Sequence, residues 1–179
     1  MRTYFRPFLA MIILLLNFTA CKVSQQSAST GTYHDYAARY GKIAISHMQK
    51  YRIPASITLA QGILESAGGN SRLAREANNH FGIKCTSDWR GATIYAEENK
   101  KKECYRKYKN VTDSYNDHAL FLANRVYYKP LFKLNIHDYK AWAKGLQQCG
   151  YATDPQYANK LIRVIESYKL YQFDTKVKR

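Results

Sequence analysis

Residues 53–69 restrict the fold more than any other stretch, because they read as a helix closed at both ends by its own chemistry. Ile53-Pro54 stops any preceding helix, yet proline sits well in the first turn of the next one. Gly68-Gly69 then supplies the backbone freedom that ends a helix near Ala67. Ile57, Ala60, Ile63 and Leu64 offer one side to a core, while Thr58, Gln61, Gly62 and Glu65 share the other at i, i+3, i+4 and i+7. A glycine inside a helix costs about 1 kcal/mol relative to alanine, so Gly62 implies a close approach one turn before Glu65. A carboxylate at the C-terminal end of an apolar helix is badly placed for the helix dipole. Dipole and partial burial both raise its pKa, as a general acid at neutral pH requires. Periodicity alone equally allows an exposed glutamate at a frayed helix end.

Helical spacing recurs along most of the remaining chain. Residues 36–51 place Ala37, Tyr40, Ala44, Met48 and Tyr51 on one side, and Ser71 can cap a short helix over 72–77. Residues 78–82 read as a loop. Thr112 or Asp113 opens a helix reaching about Asn124, and residues 138–148 carry Tyr139, Trp142, Ala143 and Leu146 on one face. Asp154-Pro155 opens the last helix, with Ala158, Leu161, Ile162, Ile165 and Tyr168 facing inward. Residues 83–108 differ: β-type runs at 92–95 and 104–108 flank a charged connection, 97–103. The expected class is mainly α with a small β-hairpin lobe (α+β), without internal repeats.

The N-terminus decides the compartment. Basic residues up to Arg6 precede an apolar run, 8–16, that is too short to span a bilayer but fits the core of a secretory signal. Phe18-Thr19-Ala20-Cys21 resembles a bacterial lipobox, loosely, since Phe18 stands where leucine is usual; an ordinary cleaved signal is the alternative. Residues 1–20 are thus expected to be a lipoprotein signal and Cys21 the lipidation site. Residues 21–33, polar and rich in Ser and Gln, read as a flexible tether, 34–174 as one catalytic domain and 175–179 as a basic tail. Removing 1–20 takes away Arg2 and Arg6 and no acid, which leaves 159 residues with 26 basic and 13 acidic side chains. With an export signal in front, such an excess points to membrane headgroups and acidic wall polymer rather than nucleic acid. Lysine runs such as 100–102 suit an ordinary solvated surface. Cys85 and Cys104 flank the expected hairpin and are placed to pair in an exported protein, worth about 3 kcal/mol for such a loop. That leaves Cys149 odd, as a buried thiol or an intermolecular partner. No Cys-x-x-Cys or His-Glu-x-x-His pattern suggests a metal, and no cofactor is expected.

Residues 53–66, Ile-Pro-Ala-Ser-Ile-Thr-Leu-Ala-Gln-Gly-Ile-Leu-Glu-Ser, resemble the signature helix of glycoside hydrolase family 73, the bacterial glucosaminidases. Asn78-Asn79-His80-Phe81-Gly82-Ile83-Lys84, Trp89-Arg90-Gly91, Tyr105-Arg106-Lys107-Tyr108, Ser114-Tyr115-x-Asp117-His118 and Gly150-Tyr151-Ala152-Thr153-Asp154-Pro155-x-Tyr157-Ala158 follow in the family's order. The likeness covers about residues 34–174.

The resemblance implies a lysozyme-like helical fold with a groove beside the β lobe. It implies an endo-acting N-acetylglucosaminidase that cleaves the β-1,4 bond between N-acetylglucosamine and N-acetylmuramic acid in peptidoglycan. Glu65 matches the catalytic glutamate and would protonate the leaving oxygen, since an alkoxide leaves poorly from an oxocarbenium-like transition state. The second carboxylate falls in Tyr95-Ala96-Glu97-Glu98, where Glu97 is the first choice and Glu98 the alternative; a solvated hairpin tip explains both equally well. Gln61, Asn79, Phe81, Asp117, Tyr128, Tyr151 and Tyr157 are implied as substrate-binding residues. Asp117 also reads as a first-turn helix charge, and many of the 16 tyrosines read as packing. His80 and His118 default to structure. The expected partners are peptidoglycan strands and, through Cys21, a membrane, the periplasm-facing outer membrane; the expected state is a monomer. Three alternatives differ in class: a muramidase or lytic transglycosylase on the same polymer, a non-catalytic wall-binding lipoprotein, and a Cys-His peptidase using Cys85 or Cys149. The motifs after Phe81 oppose the first and Glu65 the second. The third is weak because neither cysteine lies at a helix N-terminus.

Overall fold

A computed structural model describes residues 30–98 and 100–176. The central element is α2 (Ala55–Ser66), with α1 (Thr30–Tyr51), α5 (Tyr139–Gln148), α6 (Tyr157–Ser167) and the 3₁₀ segment Leu170–Lys176 packed round it. This arrangement buries both sides of α2: every residue from Ala55 to Ile63 is buried, including Ser56, Thr58 and Gln61. The two-sided pattern read from sequence therefore gives way to a helix buried all round, with only Leu64 and Glu65 reaching outward. Ile57, Leu59 and Ile63 are fully enclosed, each contributing roughly 1.5–3 kcal/mol.

The ends of α2 are settled by different means. Its N-cap position is Pro54, which has no side-chain acceptor. Asp174, from the C-terminal 3₁₀ segment, accepts instead from the Ser56 amide (2.8 Å) and the Ser56 hydroxyl (2.6 Å). A carboxylate at this end also suits the helix dipole. At the other end Ala67 takes the left-handed conformation (φ 52°), with Gly68 and Gly69 continuing at positive φ. Gly62 does permit a close approach, though by the hydroxyls of Tyr36 and Tyr115: a Cβ there would collide with Tyr36 Oη.

Short elements complete the domain. Ser71 caps α3 (Arg72–Ala77), as the sequence indicates, whereas Asp138, expected as the first residue of its helix, is the cap of α5. The cap of α4 (Val111–Asn124) is Asn110, accepting from the Asp113 amide, rather than Thr112 or Asp113. Residues 154–156 form a turn before α6 begins at Tyr157, with Asp154 accepting from the Gln156 amide. The 3₁₀ segment Val126–Lys133, around Pro130, follows α4. Strands β1 (Thr93–Glu98) and β2 (Lys101–Arg106) pair antiparallel, with Ile94 opposite Tyr105 and Glu98 opposite Lys101. They run further than 92–95 and 104–108 suggest, so Glu97 and Glu98 are strand residues, not part of a connection. Likewise α1 starts at Thr30, inside the expected tether, and Leu170–Lys176 takes up residues 175 and 176 of the expected tail. Cys21 and the signal segment lie outside the described residues. Among the described residues no helix is long and apolar enough to cross a membrane, and no three His, Cys, Asp or Glu side chains are grouped to hold a metal ion.

Candidate active site

Glu65 leaves the core in the last turn of α2 and opens onto a cavity of about 410 Å³. One wall is the 81–86 segment together with Glu98 of β1; the other is His118 and Phe121 of α4, Arg125 just past its end, and Tyr151. His118 and Phe121 stand at i and i+3 on one helix face, and Arg125 follows where the chain turns to extended backbone. Phe81 lies flat on His118 with ring centres 3.9 Å apart.

A chain of hydrogen bonds fixes the Glu65 carboxyl from behind. The Tyr157 hydroxyl donates to Glu65 Oε1 (3.1 Å) and accepts from Gln61 Nε2 (3.2 Å). Tyr157 is held by stacking on Tyr151, centroids 5.4 Å apart and 22° from parallel. Glu65 keeps solvent access along its side chain, yet the surrounding protein desolvates its carboxyl and raises its pKa; the Tyr157 bond works in the opposite direction.

Glu98 shows the reverse balance. It accepts a hydrogen bond from Lys84 Nζ as an ion pair (2.5 Å), and a second from the Tyr105 hydroxyl (3.0 Å). Lys84 first, then Tyr105, pull its pKa below the ordinary glutamate value. Two carboxyl groups thus face one cavity with their affinities for protons pushed apart, the pattern that divides an acid from a base. Glu97 points to the other face of the hairpin, opposite Lys102, and does not line the cavity.

The remaining sequence-derived residues separate into two groups. Phe81, Tyr151 and, through its hydroxyl, Tyr157 belong to the cavity. Gln61 is fully enclosed and reaches the site only by way of Tyr157. Asn79, 1% exposed, staples the loop: it donates to Ile83 O (2.9 Å) and Arg106 O (2.8 Å) and accepts from the Ile83 amide. Asp117 takes two hydrogen bonds from Arg106 Nη1 (3.1 and 2.9 Å) and one from the Tyr108 hydroxyl, latching β2 onto α4. Tyr128 is buried beneath Phe121 and Tyr151. These four are buried or locked because the motifs containing them close the loops round the site. Sequence reasoning passed over Lys84, His118, Phe121 and Arg125, although the α4 spacing carries a signal for His118 and Phe121. Cys85 and Cys104 form a disulfide, and Cys85 lines the cavity. Cys149 is free and partly exposed. A roomier cleft of about 620 Å³ lies between Trp89, Tyr108 and Leu120; of the two carboxylates lining it, Asp113 and Asp117, the latter is already held by Arg106.

Residues 41–170 match the Glucosaminidase family, described as mannosyl-glycoprotein endo-beta-N-acetylglucosaminidase. The chain belongs to the glucosaminidase family. Its lysozyme-like fold is shared with the catalytic domain of the autolysin Auto from Listeria monocytogenes (TM-score 0.69, 31% identity, covering 80% of this chain and 88% of that one). A peptidoglycan hydrolase from Sphingomonas sp. A1 is equally similar (TM-score 0.69, 30% identity, 82% and 97%). In sequence, this glucosaminidase is 42% identical over 137 residues to exo-glucosaminidase LytG of Bacillus subtilis, covering 70% of this chain and 48% of that protein. It is 31% identical over 158 residues to the peptidoglycan hydrolase FlgJ of Salmonella typhimurium, covering 82% and 49%. The chain spans about half the length of these two curated relatives.

Proposed function

We propose that this glucosaminidase is an endo-acting peptidoglycan hydrolase that cuts the β-1,4 bond between N-acetylglucosamine and N-acetylmuramic acid, with Glu65 as general acid. The observation that carries the reading is the opposed pair at one cavity: Glu65 biased toward its protonated form and Glu98 toward its ionised form. Glu65 delivers its proton to the leaving oxygen as the glycosidic bond breaks. Glu98, rather than Glu97, supplies the negative charge that supports the oxocarbenium-like transition state. If Glu98 drives water onto the anomeric carbon the configuration inverts; if the substrate's acetamido oxygen attacks, it is retained, and NMR of the first-formed anomer separates the two. Tyr151 offers a ring for a sugar face. Lipidation at Cys21 would hold the enzyme at the periplasmic face of the outer membrane, within reach of the wall.

Mass spectrometry of reduced muropeptides after digestion of purified peptidoglycan tests the reading. The expected products carry reduced N-acetylglucosamine ends, released early as long fragments and absent with Glu65→Gln. Reduced muramic ends would make the chain a muramidase, 1,6-anhydro ends a transglycosylase, and disaccharides from the outset an exo-acting enzyme. No product from the parent chain would favour a wall-binding protein.

A further inference from the structure

Behind the loop that carries Phe81 lies a second, polar cavity of about 360 Å³, with His80 turned toward it while Phe81 faces the catalytic one. His80 is 3% exposed, and only one of its ring nitrogens is engaged by the protein. The Tyr115 hydroxyl donates to Tyr36 Oη (2.9 Å), which leaves the Tyr36 proton for His80 Nδ1 (2.9 Å). Because Nδ1 accepts, the neutral ring carries its hydrogen on Nε2, which makes no hydrogen bond within the described protein. Burial lowers the His80 pKa to about 4, so at ordinary pH this is an uncharged donor.

Arg39 of α1 and Arg75 of α3 line the same cavity, as does Asp35. Among the described residues no ion pair engages any of these three charges, although the neighbouring Arg72 is paired with Glu76. A polar recess with an unspent N–H donor on a largely buried ring, two free guanidinium groups and one free carboxylate fits a ligand that carries carboxylates and an amine together. Guanidinium groups bind carboxylates by paired, charge-assisted hydrogen bonds, and Asp35 can take the amine.

We propose that this cavity binds the stem peptide of the wall polymer, the short peptide bearing carboxylates and a free amine that substitutes the muramic sugars. The proposal rests on the peptidoglycan reading of the catalytic cavity and adds a peptide subsite to it. The subsite makes the enzyme prefer peptide-bearing strands over glycan stripped of its peptides.

The test compares the full chain with an Arg39→Ala/Arg75→Ala variant, which alters two exposed residues. On peptide-bearing strands the variant's KM should rise about tenfold or more, the usual scale for lost charge-assisted bonds, with kcat unchanged. On strands stripped by an amidase the two proteins should behave alike. An equal loss on both substrates, or none on either, would overturn the subsite. Titration calorimetry with the free stem tetrapeptide reads the site without turnover. Binding by the parent and by Glu65→Gln but not by the arginine variant supports the subsite even if the catalytic reading fails. Absence of tetrapeptide binding, or inorganic phosphate binding as tightly as the peptide, would overturn it.

Discussion

Glu65 and Glu98 reach one cavity from two different kinds of scaffold. Glu65 ends a helix enclosed by three others and a 3₁₀ segment, so its position is set by the most tightly packed part of the molecule. Glu98 sits near the end of a two-stranded hairpin, an element that is marginal by itself in water. The hairpin is held from outside: by the Cys85–Cys104 disulfide, by Arg106 on Asp117, and by Arg72 Nη1 on Tyr95 O (2.9 Å). The contrast teaches how a small enzyme gives two identical side chains different tasks. Packing round the helix desolvates one carboxyl and favours its proton. The open hairpin leaves the other among water and a lysine and favours its charge.

The sharpest way to break this comparison is to remove the hairpin carboxylate. Glu98→Gln should lower the initial rate on purified peptidoglycan by about 100-fold or more, the usual scale for a positioned acid or base, whereas Glu97→Gln should stay within about twofold as a surface change. Equal losses would undo the assignment. Next in size is the external support: Cys85→Ser/Cys104→Ser should cost the lobe about 3 kcal/mol. Hydrogen exchange should quicken in β1 and β2 and not in α2, with activity falling alongside. Uniform exchange through both regions would show that the lobe and helices form one cooperative unit.

A matching test addresses the helical side. Asp174→Ala strands the Ser56 donors and should lower stability in urea by about 1–3 kcal/mol, with the rate per folded molecule unchanged. Tyr157→Phe bears on the pKa of Glu65 itself. Its hydroxyl lowers that pKa against burial, so its removal should move the alkaline limb of the kcat/KM profile to higher pH; a downward move would contradict the desolvation argument. The smallest effect concerns stability. Because the folded pKa of Glu65 lies above its unfolded value, ionisation opposes folding; the protonated side chain's advantage is complete below the unfolded pKa and lost as pH rises through the folded one. Glu65→Gln should therefore be more stable than the parent at neutral pH and equal to it below about pH 4, measured by thermal melts at both values.

Local chemistry made much of this molecule legible. Proline and glycine bracket α2, Ser71 caps α3, and the β-type runs locate the hairpin, because each signal acts within a few residues. Five ordered motifs after the signature helix identify the family and with it Glu65. Tertiary packing decided the rest. Whether the α2 side bearing Gln61 meets solvent or protein depends on α5, α6 and the C-terminal segment, and no periodicity within α2 records them. Asp174 caps a helix 118 residues away. Strand register turns on a single residue, since alternate side chains face opposite ways; that parity sends Glu98 into the cavity and Glu97 away from it. The sequence by itself determined which residues can do chemistry, because that follows from side-chain type and local pattern. Which of them meet, and in which protonation state, was decided only in the folded chain, where desolvation and hydrogen bonds come from residues distant in sequence.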